Sequence, residues 1–387
     1  MNILPTIADS VEDLTAIFED LHAHPEIGFT ETRTAQIVAR KLRDYGVDEV
    51  HTGIAQTGVV GLIKGRGDSK RRVGLRADMD ALPIHEQTNL RYASKSPGVM
   101  HACGHDGHTT MLLGAAKHLA TTRDFDGTAV LIFQPAEEGL GGARSMLAEG
   151  LFERFPCDEI YGMHNWPSGV PNKVTICKGT AMAGASFFDI RVQGKGSHAA
   201  MPHQSRDPLV IASALVGQIQ TILSRNVPPI ESCVVSVTKF QSGSAYNVVP
   251  DTATLAGTIR YFNEHICTLA ETRLREICDG FALAHRVEVE VDLRNVFNPL
   301  VNDAVLSDAY LEAAADIVGS DNVTDQAPPG TGSEDFADML RAVPGAYCRL
   351  GHSGDIALHN PGFVLDPHML PVGASIMARV VEQRLSF

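Results

Sequence analysis

The densest run of metal-ligating side chains in the sequence is Met100-His101-Ala102-Cys103-Gly104-His105-Asp106-Gly107-His108. In an extended or turn segment, residues two apart point to the same side, so Cys103 and His105 are placed to grip one cation or two adjacent ones. A thiolate and a neutral imidazole suit Zn²⁺, Co²⁺, Ni²⁺ or Mn²⁺. The same run also reads as a helix-capping turn with surface histidines, and His101 and His108 are assigned to that class.

A second cluster, Glu137-Glu138, follows the apolar run Val130-Leu131-Ile132-Phe133. Two adjacent carboxylates there repel each other unless a cation neutralises at least one. A division of labour follows: one carboxylate binds metal, and the other takes a proton from an activated water and passes it to a leaving group. A solvated helix start, which favours acidic residues, is the bland alternative. His164 in His164-Asn165-Trp166-Pro167 and His359 in His359-Asn360-Pro361 are single histidines held near a proline. Proline biases its preceding residue toward extended geometry, so each imidazole is expected to project from a loop. A lone histidine of this kind is more often structural than a ligand. Counted together, however, Cys103, His105, Glu138, His164 and His359 would fill much of a two-metal site.

These residues need a frame. Short aliphatic runs at 58–64, 73–76, 128–133 and 159–163 read as strands, with helical patterns at 10–22, 31–45 and 105–121 between them. Each strand from 73 onward ends in a polar cluster: Arg76 to Asp80, Gln134 to Glu138, and His164 to Trp166. Ligands of open α/β sheets bind beyond the carboxyl ends of strands, so the three clusters are expected to converge. From about Gly184 the pattern changes to two rounds of strand, helix, strand: 187–192, 208–224 and 234–240, then 252–261, 264–284 and 286–295. This βαββαβ order makes a split βαβ layer. The expected organisation is a catalytic domain in two parts, 1–184 and 298–387, interrupted by an insert over 185–297. From Asn298 onward, only helical and Gly/Pro-rich segments with polar clusters are read.

With 387 residues, 44% of them hydrophobic and 20% charged, the chain can build a large core. A formal charge of −14 repels phosphate backbones and anionic lipid, which makes nucleic acid and membranes poor partners. Seven scattered cysteines without a CxxC pair fit a reducing cytoplasm. The first ten residues carry no basic side chain and no long apolar run, so the sequence reads as neither exported nor membrane-spanning.

Several segments together resemble the M20 metallopeptidase superfamily, in its branch of hippurate hydrolases and auxin-conjugate amidohydrolases. They are His22-Ala23-His24-Pro25-Glu26-Ile27-Gly28, Leu75 to Pro83, Cys103 to Asp106, Gln134 to Glu138, Gly196 to Ala200, Asn247 to Pro250, Gly332 to Phe336 and Leu358 to Asn360. The resemblance implies an α/β fold: a central mixed sheet flanked by helices, of the zinc-exopeptidase kind, with the insert as a ferredoxin-like lid and dimerisation domain. It implies two divalent ions per subunit (Mn²⁺, Zn²⁺, Co²⁺ or Ni²⁺) held by Cys103, His105, Glu138, His164 and His359, with Cys103 as bridge. Glu137 matches the general base and Asp80 an orienting carboxylate. The superfamily's usual histidine two residues before that aspartate is Asp78 here, which leaves the role of Asp78 open. His198, Asn247 and Arg260 match positions that approach the substrate in relatives, often from the partner of a homodimer. The implied reaction is hydrolysis of a small N-acyl amino acid to a carboxylic acid and an amino acid, and the insert is expected to close over the substrate about hinges near Gly184 and Asn298. A dipeptidase or aminopeptidase of the same superfamily is the nearest rival. Two other classes are a Cys103 nucleophile activated by His105 or His108, and a non-catalytic protein that binds metal or amino acids. The first leaves Glu137, Glu138, His164 and His359 without a task.

Overall fold

The computed structural model describes residues 1–387, which divide into two compact units. The first comprises Met1–Ala181, Val301–Pro329 and Asp335–Phe387; the second, Met182–Leu300 with Gly330–Glu334.

The first unit is built on an eight-stranded mixed sheet. Its strands are β1 (Glu49–Ile54), β2 (Gly58–Lys64), β3 (Arg72–Asp78), β4 (Thr128–Gln134), β5 (Glu159–Trp166), β6 (Val174–Thr175), β7 (Val323–Thr324) and β8 (Gly345–Gly351). Their spatial order is β1-β2-β4-β3-β5-β8-β6-β7. The four central strands β4, β3, β5 and β8 run parallel, so their carboxyl ends share one edge. Helices cover both faces of such a parallel core, which explains why β4 is a continuous apolar run rather than an alternating one.

The helix His105–Thr122 is the spine of this unit, with 15 of its 18 residues buried. It packs against β3, against the helix Val11–Ala23 and, most extensively, against the terminal helix Leu370–Arg384. The last crossing has no slack. A Cβ on Gly373 would lie 2.0 Å from Met111 Sδ, and one on Gly114 would lie 2.9 Å from Ala374 Cβ.

Strand β8 lies where only helix and Gly/Pro-rich segments were expected. Its sequence, Gly-Ala-Tyr-Cys-Arg-Leu-Gly, has neither a β-branched residue nor strict alternation. Its strand state comes from its place between β5 and β6.

The second unit has a four-stranded antiparallel sheet in the order Cys233–Ser242, Thr252–Tyr261, Gly184–Gln193, Glu288–Phe297. The helices Pro208–Ile219 and Glu264–His285 pack on it and on each other over a core that includes Phe188, Ile190, Leu215, Leu255 and Leu274. Asp207 and Asn263 cap these helices through their side chains. A two-stranded ribbon pairs Ser197–His198 with Val248–Val249. No helix of the chain is long and apolar enough to cross a membrane, and all seven cysteines are free.

Candidate metal centre

The site assembles beyond the carboxyl edge of the parallel strands. Asp80 follows β3, Glu137 and Glu138 follow β4, and His164 is near the carboxyl end of β5. Cys103 precedes the helix that His105 opens, and His359 comes from the loop after β8.

Of the two geometries expected for Cys103 and His105, extended chain or turn, the structure has the turn: Gly104 is left-handed, with φ 83°, and leads the chain into the helix. His164 is not a loop residue but part of β5, and His359 is itself left-handed, with φ 63°. Its backbone N–H donates to Ala102 O at 2.8 Å, which ties its loop to the residue before Cys103.

The ligand atoms of Cys103, His105 and His164 lie within 4.8 Å of one another, as do those of Cys103, Glu138 and His359, and those of His105, Glu137 and Glu138. Cys103 thus belongs to two groups that together contain all five expected ligands. Cys103 Sγ is 3.4 Å from His164 Nε2, and His359 Nε2 is 3.3 Å from Glu138 Oε1.

Asp80 orients two of these side chains. Its Oδ1 faces His105 Nδ1 at 3.2 Å and its Oδ2 accepts from the Glu138 backbone N–H at 3.0 Å. With Nδ1 committed to a carboxylate, His105 offers only Nε2, and that buried atom has no hydrogen-bond partner. Glu138 Oε1 is buried as well, and its one close contact, with His359 Nε2, is an ion-pair approach without hydrogen-bond geometry. Buried polar atoms are rarely left unpaired, so a donor set of thiol, imidazole and carboxylate with two such atoms fits divalent cations well.

Without a metal the ligand groups differ in protonation. Contacts with Cys103 and Glu138 raise His359 to about 10 despite its partial burial, so a cation that binds there displaces its proton. Burial pushes the Cys103 thiol up, against the pull of His105. Burial also depresses His164, and His108 adds to that effect, which leaves it neutral, the state that ligates.

The turn that presents the two glutamates is anchored from the N-terminal motif. Ala136, with φ 55°, donates its N–H to the buried Glu31 carboxylate at 2.8 Å. Gly28 lies so close that a Cβ there would be 2.8 Å from Ala136 Cα. Glu26 caps the helix Thr32–Asp44 by accepting from the Arg33 and Thr34 N–H groups. The turn is not a helix start, and Glu137 is buried rather than solvated.

The assignment of His101 and His108 to surface positions is overturned: both are buried. His108 Nδ1 donates to Asp78 Oδ1 at 2.6 Å, and Asp78 Oδ2 accepts from Arg76 Nη1 at 2.8 Å. Burial opposes ionisation of Asp78, but His105, Arg76 and His108 outweigh it and hold the carboxyl well below its usual range. Arg76 also donates to Gln134 and Asp335 and lies over the Phe336 ring. The spacing carried a signal for this pair, since residues 76 and 78 share one face of a strand.

A separate buried network joins His22 Nδ1 to Asp106 Oδ2 at 2.7 Å and His22 Nε2 to Glu86 Oε1 at 3.4 Å. Burial alone would lower His22, but these two carboxylates raise it to about 9. Burial lowers His101, beside it, to about 4.

His198, Asn247 and Arg260 belong to the second unit. His198 is exposed on the two-stranded ribbon opposite Val248, and Asn247 accepts the Ala199 N–H. Arg260 is half-buried over the Phe187 ring, donates to Thr258, and is lowered by burial.

Comparison with known proteins gives the same direction throughout. The hippurate hydrolase of Campylobacter jejuni is 43% identical over 100% of both chains. An Arabidopsis thaliana protein, IAA-amino acid hydrolase ILR1-like 4, is 37% identical over 97% of this chain and 87% of its own. A solved Bacillus subtilis structure, described as a dinuclear metal binding peptidase of the M20 family, superimposes with a TM-score of 0.84 at 34% identity, covering 98% of this chain and 99% of that one. Residues 74–383 match the family described as Peptidase family M20/M25/M40, and with that span and these relatives the chain is a member of that family.

Proposed function

We propose that the protein cleaves the amide bond of hippurate-like N-acyl amino acids and releases a carboxylic acid and an amino acid. The chain is a hydrolase acting on amide bonds, and divalent metal is its cofactor class. The observation that carries the finer reading is the buried Glu137 carboxylate beside a donor set with unpartnered ligand atoms. Such an arrangement is catalytic rather than structural, because structural sites are closed and carry no spare carboxylate.

Cys103, His105, Glu138, His164 and His359 would hold two divalent ions, Mn²⁺, Zn²⁺, Co²⁺ or Ni²⁺, with Cys103 shared between them. Bound there, such ions supply a Lewis acid and bring the pKa of water toward about 7. Glu137 takes the proton from the attacking water. The water oxygen adds to the acyl carbon, the C–N bond breaks, and Glu137 returns the proton to the leaving nitrogen. Asp80 keeps His105 Nε2 and the Glu138 carboxylate aimed at the centre. His198 is assigned to oxyanion stabilisation, and Asn247 with Arg260 to the amino acid carboxylate, which a guanidinium fork matches. The second unit would act as lid and dimerisation element. Seven unpaired cysteines support a cytoplasmic location.

The deciding experiment is a panel of benzoyl, acetyl and indole-acetyl amino acids with unblocked dipeptides, assayed after metal removal and reloading with each ion. Acyl amino acids turn over with the highest kcat/KM if this reading holds; exclusive turnover of dipeptides would replace it. His198→Ala should lower kcat more than it raises KM.

A further inference from the structure

We propose that Asn165 is a positioning residue of the metal centre: it fixes the spacing between the segments that carry Cys103 and His164, and its own bonds set the tautomers of His108 and His164. The proposal rests on the reading of Cys103 and His164 as ligands.

Backbone N–H groups only donate and carbonyl oxygens only accept, and together these assign the histidine protons of the cluster. Gly354 N–H donates to His352 Nδ1 at 3.1 Å, so the His352 proton is on Nε2, 3.2 Å from Asn165 Oδ1. That contact orients the amide. Asn165 Nδ2 then faces the other way, donating to Cys103 O at 2.6 Å and to His108 Nε2 at 3.0 Å. The Asn165 backbone N–H donates to the same His108 Nε2 at 2.9 Å. Two donors on one nitrogen leave no room for a proton, so His108 carries it on Nδ1 and gives it to Asp78, which Arg76 anchors.

The Asn165 carbonyl completes the cluster by accepting from His164 Nδ1 at 2.6 Å. His164 is thereby left with a bare Nε2 facing Cys103 Sγ. Each polar group of this fully buried asparagine is therefore used. Gly104 belongs to the same device, since a Cβ there would lie 2.5 Å from Asn165 Nδ2. Asp78, left without a role by the sequence, becomes the anchor of the chain of bonds. Aspartate at 165 would lose both side-chain donors and set a negative charge against the Cys103 carbonyl.

The first test needs no variant. Nitrogen-resolved NMR of histidine side chains in the metal-free full-length protein should show His108 and His164 protonated on Nδ1 and His352 on Nε2; His108 protonated on Nε2 would overturn the proposal. Asn165→Asp should weaken metal binding, read by calorimetry, by roughly 10- to 100-fold, as loss of residues that support ligands commonly does, and should alter the thiolate-to-metal absorption of the cobalt-loaded protein. His108→Gln keeps an acceptor for the Asn165 donors and should bind metal far better than His108→Leu. If Asn165→Asp fails to fold, the histidine spectra and the His108 pair decide. Native affinity in Asn165→Asp or His108→Leu would overturn the proposal. If Cys103→Ser loses metal while Asn165→Asp does not, only this inference fails; if Cys103→Ser keeps its metal, the ligand reading fails with it.

Discussion

Neighbouring residues in the first turn of one helix lead into two clusters of the same chemical types with opposite characters. On the His105 side, thiol, imidazole and carboxylate groups crowd together, and His105 Nε2 and Glu138 Oε1 have no hydrogen bond. On the Asp106 side the carboxylates and His22 are all bonded, and the only unpaired polar atoms are the two ring nitrogens of neighbouring His101. Both nitrogens of His22 meet carboxylates, Asp106 also accepts the Gly107 N–H, and Glu86 also accepts the Ser94 N–H. Residue types alone do not separate a binding centre from a structural brace. The difference is which atoms are left over: in the first cluster thiol, imidazole and carboxylate ligand atoms converge within 4.8 Å of one another, whereas in the second the leftover atoms belong to one lone imidazole.

The largest effect that tests this contrast falls on the Glu137 carboxylate. Glu137→Gln should cut kcat by about 10³-fold or more while metal content, measured by elemental analysis, stays normal; a variant that keeps most of its activity removes Glu137 as the base. Next, Cys103→Ser should lower bound metal below that of the unmodified protein, whereas His22→Gln should leave metal stoichiometry intact. Equal metal loss in both would erase the distinction between the clusters. Chelation should then lower the Tm of the unmodified protein and of His22→Gln, because a ligand that binds only the folded state stabilises it, and should do little to Cys103→Ser.

The smallest effect is a pH dependence in the closed cluster. His22 is raised from 6.5 to about 9 in the folded state. Its contribution is therefore fully present below about 6.5 and is lost as pH rises through about 9, with an upper bound of about 3 kcal/mol. Denaturant unfolding of the metal-free protein should show the gap between unmodified protein and His22→Gln narrowing over that window. A constant gap would mean that the His22 charge contributes nothing.

Much of the frame was legible because strands buried on both faces announce themselves as apolar runs. The strand expected at 58–64 is β2, and those at 128–133 and 159–163 fall within β4 and β5. Strand β8 was not legible, since its state depends on neighbours distant in sequence. The burial of His101 and His108 was also hidden: a polar segment rich in glycine looks like surface until the helix it opens is known to be the spine of its unit. Asp78 shows a subtler limit. Its spacing from Arg76 was readable, but its partner His108 is 30 residues away and enters only through the fold.

The fit of Gly373 against Met111 carries a consequence for the far end of that spine. Met111 is six residues past His105, about 9 Å along the axis. Because the crossing leaves no space for even a methyl group, the helix cannot slide lengthwise without pushing the terminal helix aside. The His105 imidazole is thus indexed from behind, and a mutation near the carboxyl terminus can shift a side chain that it never touches.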